Sequence, residues 1–180
     1  NSWANSNEIK DFEINGVSIE DSLLSHMSKE EINYALENPT YYRDQKFVVI
    51  FADIPDSTYD RMQVTFKPND KKYIVQSVEG ILDFDRDIES CKKKKDQIII
   101  DLENLLSNFE RVDDDSPYGA GDTGNSFVYG TWFFTKKNGF VSINCTSMGE
   151  EVRNEHGWTD ELSVTITTKE MENFLRGNPY

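Results

Sequence analysis

The sequence runs twice through the same succession of patterns, three stretches with the period of a β-strand followed by one with the period of a helix. In residues 45–110 and again in residues 126–176, apolar side chains alternate with polar ones before a spacing of about 3.6 residues takes over. Two short helical signals precede the first half, so the predicted order is ααβββαβββα. This order favours an α+β domain built on an antiparallel sheet of about six strands, with helices packed on one face.

The strands differ in how many of their faces are apolar. Residues 46–53 and 126–136 are apolar on both faces, whereas residues 61–67 alternate cleanly between apolar and polar side chains. Strands with two apolar faces are typical of the middle of a sheet, so we expect these two at the centre. The helix predicted at residues 87–109 covers one face. The other face is expected to be covered by the N-terminal helices, by another subunit or by a ligand.

The length of 180 residues suits one domain. We expect a polar N-terminal arm at residues 1–15 and a single domain at residues 16–180. The two halves of this domain share the same order of strands and helix, with only weak similarity between their residues. The chain begins without Met and without a basic, apolar targeting stretch. We therefore expect either a removed signal peptide or a start inside a longer chain.

The chain is strongly acidic, with 19 Lys+Arg against 33 Asp+Glu and a formal net charge of −14. This charge disfavours nucleic acid and anionic membranes as partners, because both attract basic surfaces. No apolar run approaches the ~20 residues that span a bilayer, so no transmembrane segment is expected. Aromatic residues make up 12% of the chain, which argues against intrinsic disorder.

Two cysteines, Cys91 and Cys145, are both expected to point inward. Cys91 belongs to the apolar stripe of the long helix, and Cys145 shares strand parity with Val141 and Ile143. We expect a disulfide that joins helix to strand, which requires an oxidising compartment. The alternative is a pair of buried thiols that pack as small hydrophobic side chains. Neither cysteine belongs to a CxxC pair, so a zinc or thioredoxin-like site is not indicated.

The polar loop from Asp113 to Asn125 is the first candidate for chemistry. It combines three consecutive aspartates with a glycine-rich stretch, a composition that suits a hard cation as well as a plain solvated loop. His156 is the second candidate, but no GxSxG motif supplies a nucleophile for it. We assign no catalytic, metal-binding or cofactor-binding residue and expect no cofactor.

The strand at residues 126–136 is unusually aromatic. Phe127, Tyr129 and Phe133 point to one face and Trp132 to the other. Aromatic side chains on a sheet serve as core, as a dimer interface or as the wall of a ligand site. These interpretations stay open, and the four residues are our candidate surface for a ligand or partner.

Several segments resemble a family of small exported proteins from low-GC marine bacteria. The similar segments are residues 14–24, residues 27–32, the Tyr41-Tyr42 pair, residues 72–80 and residues 87–91. The resemblance covers most of residues 8–109. It implies export to the periplasm and a cysteine pair, and it supplies no activity. The helix opening at residues 16–24 is also similar to tandem inhibitor and outer-membrane-assembly lipoprotein modules, which pack helices on an antiparallel sheet.

The sequence therefore predicts an exported, non-enzymatic binding or interaction protein of the cell envelope. Its partner is expected to be a protein or a small ligand. One alternative is a small hydrolase or cation-dependent enzyme that uses the loop from Asp113 to Asn125 together with His156. The other is an obligate homodimer with a structural role.

Overall fold

The computed structural model describes residues 8–118, 125–137 and 139–177, and the structural statements below concern these residues. One antiparallel sheet of eight strands organises them, in the spatial order β1-β2-β3-β4-β8-β7-β6-β5. The strands are β1 (Thr40–Tyr41), β2 (Val48–Phe51), β3 (Arg61–Phe66), β4 (Ser77–Asp83), β5 (Glu110–Pro117), β6 (Phe127–Thr135), β7 (Gly139–Ser147) and β8 (Glu161–Thr167). The α-helices are α1 (Lys29–Ala35), α2 (Ile88–Glu103), α3 (Glu150–His156) and α4 (Lys169–Leu175).

The sheet consists of two four-stranded meanders that meet side by side. Strands β1 to β4 follow one another in the first meander and β5 to β8 in the second. The seam between them is the antiparallel pair β4 and β8, in which Val78 lies opposite Ile166 and Gly80 lies opposite Val164. The predicted α+β class and antiparallel sheet are confirmed, but the expected number of about six strands is too low by two.

The additional strands were missed for physical reasons. Strand β5 includes residues that we predicted as part of a polar loop. They were not recognised as a strand because aspartate is depleted in strands and residues 113–116 show no alternation of apolar and polar side chains. It forms at the edge of the sheet, where both of its faces can stay in water while its backbone pairs with the whole of β6. Strand β1 has only two residues, too few to show any period.

The expectation that the two doubly apolar strands lie at the centre is wrong. The structure places β4 and β8 at the centre, and β2 and β6 each lie next to an edge strand. On the face away from the core, the central strands carry polar residues such as Glu79 and Thr165, while β2 and β6 carry Phe51 and Trp132. The second face is therefore polar in the middle of the sheet and aromatic towards its edges. This reversed polarity is the opposite of what a sheet with a purely structural role would show.

Helix α2 and the N-terminal segment cover the same face of the sheet. Their apolar side chains join those of the sheet in one continuous core. Its fully buried members include Ile9, Val17, Leu23, Ile32, Val64, Phe66, Val78, Cys91, Ile143 and Leu162. The N-terminal helices therefore do not cover the second face. Helix α4 lies on the second face at one end of the sheet. The prediction that the helices pack on one face is therefore wrong for α4.

Capping side chains begin helices α1 and α2. The Ser28 hydroxyl accepts a hydrogen bond from the Glu31 amide at 3.2 Å, and the Ser28 amide donates to the Glu31 carboxylate at 2.7 Å. The Asp87 carboxylate accepts from the Ser90 amide at 3.0 Å and starts α2. The expected end of α2 at residue 109 is too late, because the regular helix ends at Glu103.

The predicted disulfide between Cys91 of α2 and Cys145 of β7 is confirmed. Both side chains are fully buried, and the bond ties the long helix to the face of the sheet that it covers. Among the helices of the described residues, none is long and apolar enough to cross a membrane.

Candidate functional site

The second face of the sheet is lined along its middle by polar side chains. The strand period of two places them there, because their neighbours in sequence point into the core. The register puts Gln63, Glu79, Thr165 and Ser142 in one row across four strands. We call the whole set the polar floor: Gln63, Thr65, Ser77, Glu79, Ser142, Asn144, Ser163, Thr165 and Thr167.

Two adjoining cavities lie on the polar floor. The smaller has a volume of about 320 Å³ and the larger about 590 Å³. Both are lined by Tyr42, Gln63, Glu79 and Asn144, so they are parts of one cleft. Helix α4 limits the smaller cavity with two apolar side chains, and the segment at residues 157–159 limits the larger one.

Aromatic rings surround this polar floor. Phe51, Tyr118 and Trp158 line the larger cavity, and 55%, 38% and 48% of their respective surfaces are exposed. Trp132 and Phe140 line the smaller cavity. Exposed large rings beside buried hydroxyl groups are unusual on a surface that only faces water, and they are typical of ligand sites.

Trp132 occupies its place because residue 130 is a glycine. A Cβ atom at position 130 would collide with the indole ring of Trp132 and would lie 3.0 Å from the Asn144 side-chain oxygen. The ring therefore lies flat across the backbone of β6 at the boundary of the smaller cavity. The Asn144 Oδ1 atom beside it is buried and has no hydrogen-bond partner among the described residues.

Trp158 is positioned by the end of α3. Gly157 ends that helix in the left-handed conformation, with φ of 69°, which turns the chain sharply toward the cleft. The ring of His156 then packs on the ring of Trp158 with 4.9 Å between centroids. Just beyond, the buried carboxylate of Asp160 is ion-paired with Arg153 of α3. These contacts hold Trp158 at the mouth of the larger cavity.

Glu79 is the carboxyl group in the centre of the polar floor. Its Oε1 atom accepts a hydrogen bond from the Thr165 hydroxyl at 3.2 Å. Burial raises the pKa of Glu79 to about 7, and the nearby negative charge of Glu161 acts in the same direction. The group is therefore close to half ionised at neutral pH.

Arg61 lies at the end of the larger cavity and is fully engaged by other acids. Its Nη2 atom donates to Asp83 at 2.5 Å and to Glu161 at 2.8 Å. Burial raises the pKa of Glu161, while the hydrogen bond from Arg61 lowers it. The Arg61 guanidinium is thus ion-paired with these two carboxylates, whereas Glu79 accepts hydrogen bonds from hydroxyl groups of β8.

The structure separates the four aromatic residues that we proposed as one surface. Phe133 is 2% exposed and belongs to the core. Phe127 and Tyr129 point to the same side, where the Lys92 ammonium of α2 lies 3.7 Å from the centre of the Tyr129 ring. Trp132 alone of the four lines the cleft. Its opposite orientation follows from strand parity, which the sequence already contained.

Of the proposed hydrolytic or cation site, the structure describes residues 113–118, Asn125 and His156. Asp113 lies on β5, where it accepts hydrogen bonds from Thr131 at 2.7 Å and from Arg111 at 3.1 Å. His156 packs on Trp158 at the far side of the larger cavity. Residues 119–124 of the loop lie outside the described residues. No group of three or more His, Cys, Asp or Glu side chains within the described part of the chain is arranged to hold a metal ion.

The sequence did contain one signal for the residues that were overlooked. Glu79 stands between Val78 and Gly80, within a strand whose other alternate residues are buried, and a charged residue in such a place needs a partner or a function. Arg61 and Glu161 looked like ordinary strand ends. Trp158 looked like a loop residue, because no pattern in residues 149–160 indicates that the chain returns to the sheet there.

No protein-family model matches the chain, and comparisons with curated proteins and with solved structures found no match either. A sheet with helices on it hosts many unrelated functions. The chemistry of the cleft is therefore the guide to what this protein binds.

Proposed function

We propose that the protein is an exported, non-enzymatic binding protein that holds a small polar organic molecule in the cleft on the polar floor. The observation that carries the proposal is the reversed polarity of this face. Hydroxyl, amide and carboxyl groups occupy its centre, where the two cavities lie, and aromatic rings stand around them. Few precisely placed polar groups within an aromatic surround are the common composition of small-molecule sites.

The cost of burying polar groups supports this assignment. The buried Thr167 hydroxyl lies 2.9 Å from the Ser77 hydroxyl, but the buried Asn144 side-chain oxygen lacks a partner among the described residues. Such groups destabilise a fold unless hydrogen bonds satisfy them. A ligand with a hydroxyl, amide or ammonium group would donate a hydrogen bond to the Asn144 oxygen, whereas a purely apolar ligand would leave it unsatisfied.

The size and rigidity of the cleft suit a small ligand. Cavities of a few hundred Å³ accommodate molecules the size of a metabolite. The floor is made of β3, β4, β7 and β8, and the disulfide to α2 braces β7 from behind. A rigid floor lowers the cost of ordering side chains when a ligand binds.

The disulfide supports export. Bonds of this kind persist in oxidising compartments and are rare in the cytosol. The resemblance to exported marine proteins has the same implication. Together they support a ligand that the protein meets outside the cytoplasm, in the periplasm.

Fragment binding to ¹⁵N-labelled protein tests the proposed function. A library of small polar and aromatic fragments should shift the backbone signals of Gln63, Glu79 and Asn144 and leave those of the long helix α2 unchanged. Competition between fragments would show a common site. If fragments bind only on the helix-covered side, or not at all, the proposal is wrong. Sedimentation of the same sample would show whether the predicted homodimer exists.

A further inference from the structure

The larger cavity carries an excess of negative charge. Glu79, Asp83 and Glu161 contribute three carboxyl groups, and Arg61 is the one basic residue among the described residues that line the cavity. Arg61 is bonded to Asp83 and Glu161, and its attraction for Glu79 is outweighed by burial and by the repulsion from Glu161. The hydrogen bonds that the structure gives Glu79 come from neutral hydroxyl groups, those of Thr165 and Ser163. A buried carboxyl in such a setting is stabilised in its ionised form by a cation that arrives from outside.

Aromatic faces in the same cavity point to the same kind of ligand. Phe51, Tyr118 and Trp158 are each more than a third exposed and line the cavity with the carboxyl groups. Ring faces attract ammonium groups through their quadrupoles, and cages of rings recognise quaternary ammonium ligands. The net charge of −14 adds a long-range field that draws cations toward the protein.

We propose that the ligand of the cleft carries an ammonium group, which binds in the larger cavity to the carboxyl group of Glu79 and against the exposed rings of Phe51 and Trp158. The polar floor then holds the hydroxyl or amide groups of the same molecule. This inference rests on the proposed function, because it names the chemical class of the molecule that the cleft holds.

The ionisation of Glu79 predicts how such binding depends on pH. The charged or titratable groups that face it are Arg61 from β3, Glu161 and Asp83 at the cavity end, and the phenols of Tyr42 and Tyr118. A cation favours the ionised form of Glu79, so its binding releases a proton from the fraction that is protonated. The affinity for a cation with no titrating group of its own must therefore rise as the pH passes through about 7.

Calorimetric titration with choline tests the proposal, and the control ligand is the neutral isostere in which a tert-butyl group replaces the trimethylammonium group. Pentylamine and pentanol form a second pair with a primary ammonium group. We expect at least one ammonium compound to bind about tenfold more tightly than its neutral partner. Glu79→Gln should remove this preference, and Glu110→Gln, which changes an exposed acid on β5, should keep it. The preference should grow between about pH 6 and about pH 8 in the wild type and in Glu110→Gln, but not in Glu79→Gln.

The outcomes separate this inference from the proposed function. Neutral partners that bind as tightly as the ammonium compounds would overturn the inference. Fragments that bind in the cleft while both ammonium compounds fail to bind would also overturn it and leave the proposed function intact. If neither the fragments nor the ammonium compounds bind in the cleft, both are wrong. Trp158→Ala tests the ring contact, since it should weaken the binding of choline more than that of its neutral isostere.

Discussion

Arg153 and Asp160 form a buried ion pair that fastens the end of α3 to the start of β8. Asp160 is 1% exposed, and its carboxylate also accepts a hydrogen bond from the Met148 amide at 2.9 Å. Arg153 in turn donates to the Met148 carbonyl at 2.8 Å and to the Asp85 carbonyl at 3.0 Å. Four segments of chain thus meet at one charge pair, and the turn that carries Trp158 is enclosed between its two members.

Replacement of Arg153 by Met should destabilise the protein by about 3 kcal/mol, because the buried Asp160 carboxylate loses its compensating charge. Arg86→Ala is the matched control, since Arg86 pairs with Glu150 at 2.8 Å on an exposed surface. That change should cost less than about 1 kcal/mol. Urea unfolding measures both free energies. Equal losses for the two variants would show that burial of the Arg153 pair is not what stabilises this turn.

Loss of the disulfide should be more costly. Cys91 and Cys145 are 54 residues apart in sequence, and the chain-entropy model assigns a loop of that length about 4 kcal/mol of stabilisation. The double variant Cys91→Ala with Cys145→Ala should therefore unfold at a clearly lower urea concentration than the oxidised wild type. A reductant should move the wild type to the same range and leave the double variant where it is. A wild type that ignores reductant while its thiols titrate as free would contradict the bond.

The Glu79→Gln variant should gain stability over the wild type as the pH rises. The folded protein holds the pKa of Glu79 at about 7, above the ordinary value of 4.5, so between these values the folded state keeps a proton that the unfolded chain has lost. The wild type therefore loses stability as the pH rises through this range, whereas the variant, which has no carboxyl group at position 79, does not. The difference in unfolding free energy should change by up to about 3 kcal/mol between about pH 4 and about pH 8.

The control for this pH experiment is Glu110→Gln, since Glu110 lies exposed at the edge of the sheet. Its difference from the wild type should stay nearly constant over the same pH range. A flat difference for Glu79→Gln as well would mean that its carboxyl group titrates as it would in water. A gain that falls with rising pH would reverse the sign of the assigned shift.

A methyl group at position 130 should displace the Trp132 ring. Gly130→Ala places a Cβ atom where the indole now lies, and overpacking of this kind costs about 1–3 kcal/mol. In a Trp132→Ala background the same change should cost little, because its obstacle is gone. A double-mutant cycle by urea unfolding measures this coupling. Costs that are equal in both backgrounds would show that the backbone at position 130, and not the indole ring, rejects the methyl group.

The parts of this fold that the sequence revealed are those in which side-chain pattern and burial agree. The inward-pointing cysteines are a periodic feature of their helix and strand, and they lie where they were predicted. Strand β5 was hidden because its aspartates are poor strand formers and an edge imposes no burial pattern.

The cleft was hidden for a different reason. Apart from Glu79, its floor is made of residues such as Ser77 and Thr165, which look like the solvent-facing side of an ordinary exposed strand. Only the strand order brings β4 next to β8 and moves those residues to the middle of the sheet. Strand order depends on contacts between distant parts of the chain, and a period along one strand does not report it.

The seam between β4 and β8 sets a condition on how this protein can assemble. Ser77 pairs with Thr167, so the two strands that complete the middle of the sheet are separated by some ninety residues of chain. Until residues 161–167 are present, β4 has an open edge that carries Val78, Ile81 and Leu82, and an open edge can pair with strands of other molecules. Contacts of such long sequence separation form slowly. The first meander is therefore completed only when the last strand has formed. A chain that ends before residue 161 would leave the edge of β4 unpaired and open to aggregation.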